Sequence, residues 1–281
     1  MIHATDERLG DLALSRLRPW PGGIGNHPIV AWDNLMRRAA LSGDAVASDG
    51  ALANAATWTT YDRWRPAGTG ARQITALIGA DEAPVTFLAL AAHNLFAIGA
   101  TVQWAYNLAE SGGSWVGLNA LAAEDGVMAW RIMPVAARRW RLSVTVPAGA
   151  SANVGCVFIG AETVLPTRIY QGFSPRIRPT EIELESNVSE GGNLLASAIV
   201  RTGSTLSMDL AYLPETFARS EDFGGFMEWF NRARGVYVAW MPEKYPQDVH
   251  YGWRGGSVLR PDNSGPKDFM SASIAMRLFD G

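Results

Sequence analysis

The chain has 281 residues, a formal net charge of −3, 48% hydrophobic residues and 18% charged ones. That is apolar enough to bury real cores, and it excludes a disordered chain. The mild acidity gives no basic excess that would point to nucleic acid or an anionic membrane. A single cysteine, Cys156, excludes an internal disulfide framework and a cysteine-rich zinc site. No window approaches about 18 uninterrupted apolar residues, so no membrane span is predicted.

Residues 1–30 contain Arg18-Pro19-Trp20-Pro21-Gly22-Gly23. Prolines fix φ and exclude the α region just before them, so an extended arm is predicted. The first residues lack the apolar stretch of a secretory signal, and the expectation is a protein made in the cytoplasm that stays there or leaves inside a larger particle.

Residues 31–165 read as short strands separated by turns. A short helix is predicted over 32–41. Strands are predicted over 86–92 and 101–106. Residues 140–146 alternate cleanly, with Trp140, Leu142, Val144 and Val146 on one face. Residues 166–179 look like a linker. Strands restart at 181–185, 194–200 and 205–210. An amphipathic helix follows over 214–234, carrying Phe217, Phe226, Trp229 and Phe230, with Gly224-Gly225 as an expected interruption. Strands at 236–240 and 274–278 close the chain. The pattern predicts a mostly β protein of two domains, the second carrying one helix, with turn spacing of sandwich type.

The search for chemistry is mostly empty. His3, His27, His93 and His250 fit no metal-ligand spacing. No nucleophile elbow, phosphate loop or dinucleotide fingerprint is present. Glu181, Glu183 and Glu185 share one strand face and read as a solvated face. Cys156 reads as a small buried hydrophobe in an apolar run. No catalytic residue, metal or cofactor is expected.

The most suggestive cluster is Trp58-Thr59-Thr60-Tyr61-Asp62-Arg63-Trp64-Arg65. Sugars present a flat C–H face that stacks on aromatic rings, and Arg and Asp hydrogen-bond hydroxyls. Trp58, Tyr61, Trp64 and Arg65 are therefore candidate glycan contacts, with Trp115 as a further one. The competing reading makes Trp58 and Trp64 core residues with the arginines on the surface. In Arg138-Arg139-Trp140-Arg141, alternation places Arg139 and Arg141 on one face and Trp140 on the other.

Several stretches in order resemble a galactose-binding-like, discoidin-type jelly roll. They are Ala31-Trp32-Asp33-Asn34-Leu35, Ala53-Asn54-Ala55 followed by Trp58 or Trp64, and Ile74-Thr75-Ala76-Leu77-Ile78-Gly79, where the family's acid is missing. Ala91-Ala92-His93-Asn94-Leu95, residues 107–115, residues 135–142 and Val154-Gly155-Cys156-Val157-Phe158-Ile159-Gly160 continue the series. The whole chain is similar to distal-tail-type baseplate proteins of long-tailed bacteriophages, through residues 224–234, Tyr237-Val238-Ala239-Trp240-Met241-Pro242 and residues 245–253.

That resemblance implies an arm (1–30), a jelly roll (31–165) and a tail-tube-like β-sandwich with one helix (166–281). It implies a structural, non-catalytic subunit of a virion tail, forming a homo-oligomeric ring of six between tail tube and hub proteins. The jelly roll would face outward toward host-surface glycan, and a host-adsorption carbohydrate-binding module is the alternative. Trp20 and the row Phe226, Trp229 and Phe230 are the candidate subunit-interface residues. Trp, Tyr, Phe, Met and Arg are enriched and Lys depleted at obligate interfaces, and lysine occurs here only at Lys244 and Lys267.

Overall fold

The computed structural model describes residues 2–5, 26–169, 181–245, 248–263 and 268–279. Trp20 and the 166–179 passage beyond Ile169 lie outside the described residues. The chain is mostly β, as its alternation predicts. In order it forms β1 (Ile2–Thr5), β2 (Ile29–Ala31), β3 (Ala40–Gly43), β4 (Gly70–Leu77), β5 (Val85–Leu90) and β6 (Thr101–Asn107). The short β7 (Val116–Gly117) and β8 (Leu121–Ala122) precede β9 (Met128–Val135), β10 (Arg139–Val146), β11 (Val157–Gly160) and β12 (Thr163–Val164). Then come β13 (Glu181–Val188), β14 (Leu194–Pro214), α1 (Glu215–Ala218), α2 (Glu221–Asn231), β15 (Val236–Ala239), β16 (Val249–Arg254) and β17 (Phe269–Leu278).

Three sheets stack. The outer sheet runs β3-β4-β10-β6-β7, with β8 also on β6; the middle sheet runs β1-β9-β5-β11; the third runs β12-β2-β15-β16-β17-β14-β13. From β4 to β11 the long strands alternate between outer and middle sheets, the connectivity of a jelly roll. The first core fills the space between these two sheets. Trp140, Leu142, Val144 and Val146 enter it from β10, Trp130 and Ile132 from β9, and Leu88 and Leu90 from β5. Trp104 meets Trp130 there edge-on, centroids 6.0 Å apart. Leu77, Thr75 and Gln73 of β4 pair with Arg139, Arg141 and Ser143 of β10, which fixes the outward face of the sheet.

Over β5, β11 and the first half of β9, both faces of the middle sheet are covered. Phe87 and Ala89 of β5, Ala129 of β9 and Phe158 of β11 point away from the first core. They meet Ile29, Ala31, Tyr237, Ala239, Val249 and Tyr251 of the third sheet. This explains why all six residues of β5 are buried and why the segment reads as an apolar run rather than an alternation. Two tyrosines lock the layer: Tyr237 Oη donates to the Cys156 carbonyl and Tyr251 Oη to the Trp58 carbonyl. A buried ion pair sits at the chain's return to the third sheet. Arg131 Nη2 lies 3.3 Å from Glu162 Oε1, the side chains 8% and 1% exposed, and Thr86 Oγ1 donates to Glu162 Oε2. Burial pushes the Glu162 carboxyl upward, against Arg131 and Thr86, which favour its charged form.

The third sheet's other face holds α2. Ser220 caps it by accepting from the Phe223 N–H, and Glu221 and Asp222 follow in the first turn. Phe223, Phe226, Trp229 and Phe230 then face Leu206, Met208, Ile274 and Met276. Gly224-Gly225 does not interrupt the helix. A Cβ at Gly225 would stand 2.5 Å from Trp32 Cη2, so glycine there permits the close approach of an indole.

Three expectations change. The helix predicted over 32–41 is a single 3-10 turn at Leu35–Arg37 followed by β3, because Asn34 turns inward to hold β11 through the Val157 carbonyl and the Ile159 N–H. The two strands predicted at 194–200 and 205–210 are one 21-residue strand. The boundaries at 30/31 and 165/166 do not separate hydrogen-bonded units, since β2 pairs with β15 and β12 pairs with β2. The jelly roll is therefore inserted into the third sheet.

Candidate functional site

Jelly-roll loops bring chemistry together at the end of the sandwich where β5 hands over to β6 and β10 to β11. Val154 bridges Trp64 on one side and His93 on the other. Trp64 and Val154 exchange backbone hydrogen bonds of 2.7 and 2.9 Å. This places Arg63, His93 and Asn153 around one strand end. Arg63 Nη1 donates to Asn153 Oδ1 at 2.9 Å, and its Nε reaches the Thr60 carbonyl at 3.3 Å. Asn94 Oδ1 accepts from the Asn153 N–H at 2.8 Å, and its Nδ2 donates to the Ser151 carbonyl. The loops are thus tied to one another by amides, with side-chain edges left at the rim.

His93 is the unusual member. Both ring nitrogens are sealed from solvent, and among the described residues neither has a hydrogen-bond partner. Burial lowers its pKa to about 4, with Arg63 adding to the effect and Asp125 and a backbone hydrogen bond within the residue itself opposing it. The imidazole is neutral near pH 7 and offers one donor and one acceptor. The preceding Ala92 holds a left-handed φ of 55°, a conformation that costs a non-glycine residue energy. A polar ring whose nitrogens lack partners among the described residues, on a strained backbone, can take a ligand hydroxyl once the side chains over those nitrogens move aside. Two exposed aromatics belong to the same loops: Tyr61, 91% exposed, and Phe96, 57% exposed.

The candidates read from sequence scatter. Tyr61 is in the loop of Arg63 and at this end. Trp64 is fully buried and packs in the first core. It cannot touch a glycan, because the strand register that brings Arg63 outward turns its neighbour in. Trp58 is 39% exposed but sits at the seam with the third sheet, where its carbonyl binds Tyr251. Arg65 turns to Asp49 in an exposed ion pair. Trp115 lies at the other end of the outer sheet. Phe226, Trp229 and Phe230 are buried against their own sheet, so they are core and not a subunit interface. The indole Nε1 of Trp229 donates to the Gly235 carbonyl at 3.0 Å.

The sequence singles out neither Asn94 nor Asn153 as a contact candidate, since an asparagine in a loop carries no periodic signal, and offers His93 only as a metal ligand. Cys156 is no nucleophile: burial pushes its thiol up to about 12. Among the described residues no group of three or more His, Cys, Asp or Glu is arranged to hold a metal ion.

No protein-family profile matches the chain, and no curated protein matches it. Among solved structures the chain is similar to a GH29 fucosidase from Ruminococcus gnavus in complex with fucose, at 14% identity and a TM-score of 0.41, over 47% of this chain and 27% of that one. It is also similar to a chitosan-binding module from Paenibacillus sp., at 14% identity and a TM-score of 0.38, over 46% of this chain and 99% of that one. A family 32 carbohydrate-binding module of Clostridium perfringens, in complex with galactose, overlaps at 11% identity and a TM-score of 0.38, over 46% and 98% of the two chains. The chain spans about a quarter of the fucosidase's length. These overlaps are partial and low-scoring, and the functional reading rests on this chain's own residues.

Proposed function

We propose that this protein binds glycan through the loop end of its jelly roll, with no bond making or breaking. The observation that carries the reading is the His93 imidazole, its nitrogens without a hydrogen-bond partner among the described residues, beside Arg63 and Asn153. A neutral imidazole, a guanidinium and amides supply mixed donors and acceptors for vicinal hydroxyls. Tyr61 and Phe96 supply rings for a sugar's apolar face. A glycan array tests it. The full chain is expected to retain a defined set of saccharides. Arg63→Ala and His93→Ala should each lower retention about tenfold or more, and Arg65→Ala should not. Empty arrays, or unchanged retention in folded Arg63→Ala, would overturn it.

The second reading, a ring-forming subunit of a phage tail tip, has one observation in its favour. Over 194–203, β14 pairs with β13 alone, and only from Ser204 onward does it also pair with β17. The result is a two-stranded ribbon roughly 30 Å long at about 3.3 Å per residue, with residues 185–187 and 195–198 exposed. An isolated ribbon is marginal in water, and neighbouring subunits would cover it. Sedimentation of the full chain should then give rings of six. A monomer at micromolar concentration would contradict this reading and leave glycan binding untouched.

A further inference from the structure

The outward face of the outer sheet carries a second unsatisfied constellation. Alternation along β10 sends Arg139, Arg141 and Ser143 outward, and the register sets Ser143 between Gln73 of β4 and Gln103 of β6. Trp115, just before β7, lies over the two arginines. Its ring centroid is 4.2 Å from Arg141 Cζ and 5.2 Å from Arg139 Cζ.

The arginines differ from their neighbours in having no counter-charge. Arg138 pairs with Glu110, and Arg38 takes both Asp33 and Glu82. Among the described residues, no such ion pair is formed by Arg139 or Arg141. Arg139 directs its donors to the Ala109 and Gly112 carbonyls. Arg141 makes one long contact, Nη1 to Gln73 Oε1 at 3.5 Å, and its Nε is sealed without an acceptor. Burial also lowers the Arg141 pKa. The indole's quadrupole compensates part of this charge. Two like charges held together and partly dehydrated still favour an incoming anion, and a guanidinium fork matches a planar carboxylate at two points.

We propose that this face is a second binding site, taking a carboxylate-bearing saccharide. The carboxylate meets Arg141 and Arg139. Its hydroxyls lie along the amides and hydroxyl of Gln73, Gln103 and Ser143. That polar row across strands favours a saccharide over an acidic peptide, which would seek a sheet edge. The site is independent of the loop end: Arg141 precedes the loop after β10 by about 20 Å of strand, at roughly 3.3 Å per residue.

Calorimetry with the full chain tests the proposal, using a hexameric oligogalacturonate, its methyl ester and poly-glutamate as titrants. Oligogalacturonate is expected to bind, more weakly as salt rises, and the methyl ester is not. Arg141→Gln and Arg139→Gln should each weaken binding about tenfold or more. Arg141→Lys keeps the charge and should weaken it less. Arg138→Gln and Arg63→Ala should leave it unchanged. No binding, equal binding of the methyl ester, equal binding of poly-glutamate, or loss of binding in Arg63→Ala would each overturn the assignment.

Discussion

β5 and β10 belong to one sandwich and face the same core, yet they meet different surroundings. β10 has one wet face, and its residues alternate between Trp140, Leu142, Val144 and Val146 inside and Arg139, Arg141, Ser143 and Thr145 outside. β5 has none, because Tyr237, Tyr251 and Ile29 cover the side opposite the core. The difference teaches that a strand's pattern reports how many layers cover it. An alternating strand lies at the surface of a stack, and a continuously apolar one lies within it.

The largest expected effects break the middle layer. Glu162→Ala removes the buried carboxylate that pairs with Arg131 and accepts from Thr86, and should cost about 3–5 kcal/mol in a urea unfolding titration. Phe87→Ala, which empties space between middle and third sheets, should cost about 3–5 kcal/mol. Gln103→Ala on the wet face of β6 should change stability by less than about 0.5 kcal/mol. Equal costs for Phe87→Ala and Gln103→Ala would dissolve the distinction between the two sheets.

Protonation sharpens the same contrast at the loop end. His93 has a folded pKa of about 4 against an ordinary 6.5. Its stabilising contribution is complete above pH 6.5, where both states are neutral. Below that the unfolded chain takes the proton first, so stability falls from pH 6.5 to 4, by roughly 3 kcal/mol. Thermal unfolding across that window should be shallower in His93→Phe. A smaller effect comes from Tyr237→Phe, which removes one of the two donors to the Cys156 carbonyl and leaves the Ala91 N–H, and should cost about 1 kcal/mol. Ser220→Ala, which uncaps α2 on the far side of the stack, should cost about 1 kcal/mol.

Much of the fold was legible in the residues. The period of two along 140–146 predicted β10 and its inward face, and Phe226, Trp229 and Phe230 predicted α2, although the single helix expected over 214–234 breaks at Arg219-Ser220 and leaves Phe217 in α1. The third layer was not legible, because its contribution at Ile29–Ala31 is only three residues long and pairs with β15 some two hundred positions away. Trp64 and Tyr61 look alike in sequence as aromatic ligand candidates. Only the bridge from Trp64 to Val154 decides that one is core and the other solvent-facing. His93 gave no signal as a binder, since its importance lies in what fails to surround it.

At the loop end the neutral His93 imidazole, its nitrogens without a partner among the described residues, is proposed to take a saccharide hydroxyl. Nitrogen NMR of the His93 ring tests it directly, first at pH 5.5 and then with the saccharides the array retains. The expected result is a neutral ring at pH 5.5 whose nitrogen signals move when saccharide is added. A charged ring at that pH, or signals that stay fixed as saccharide binds, would contradict the account.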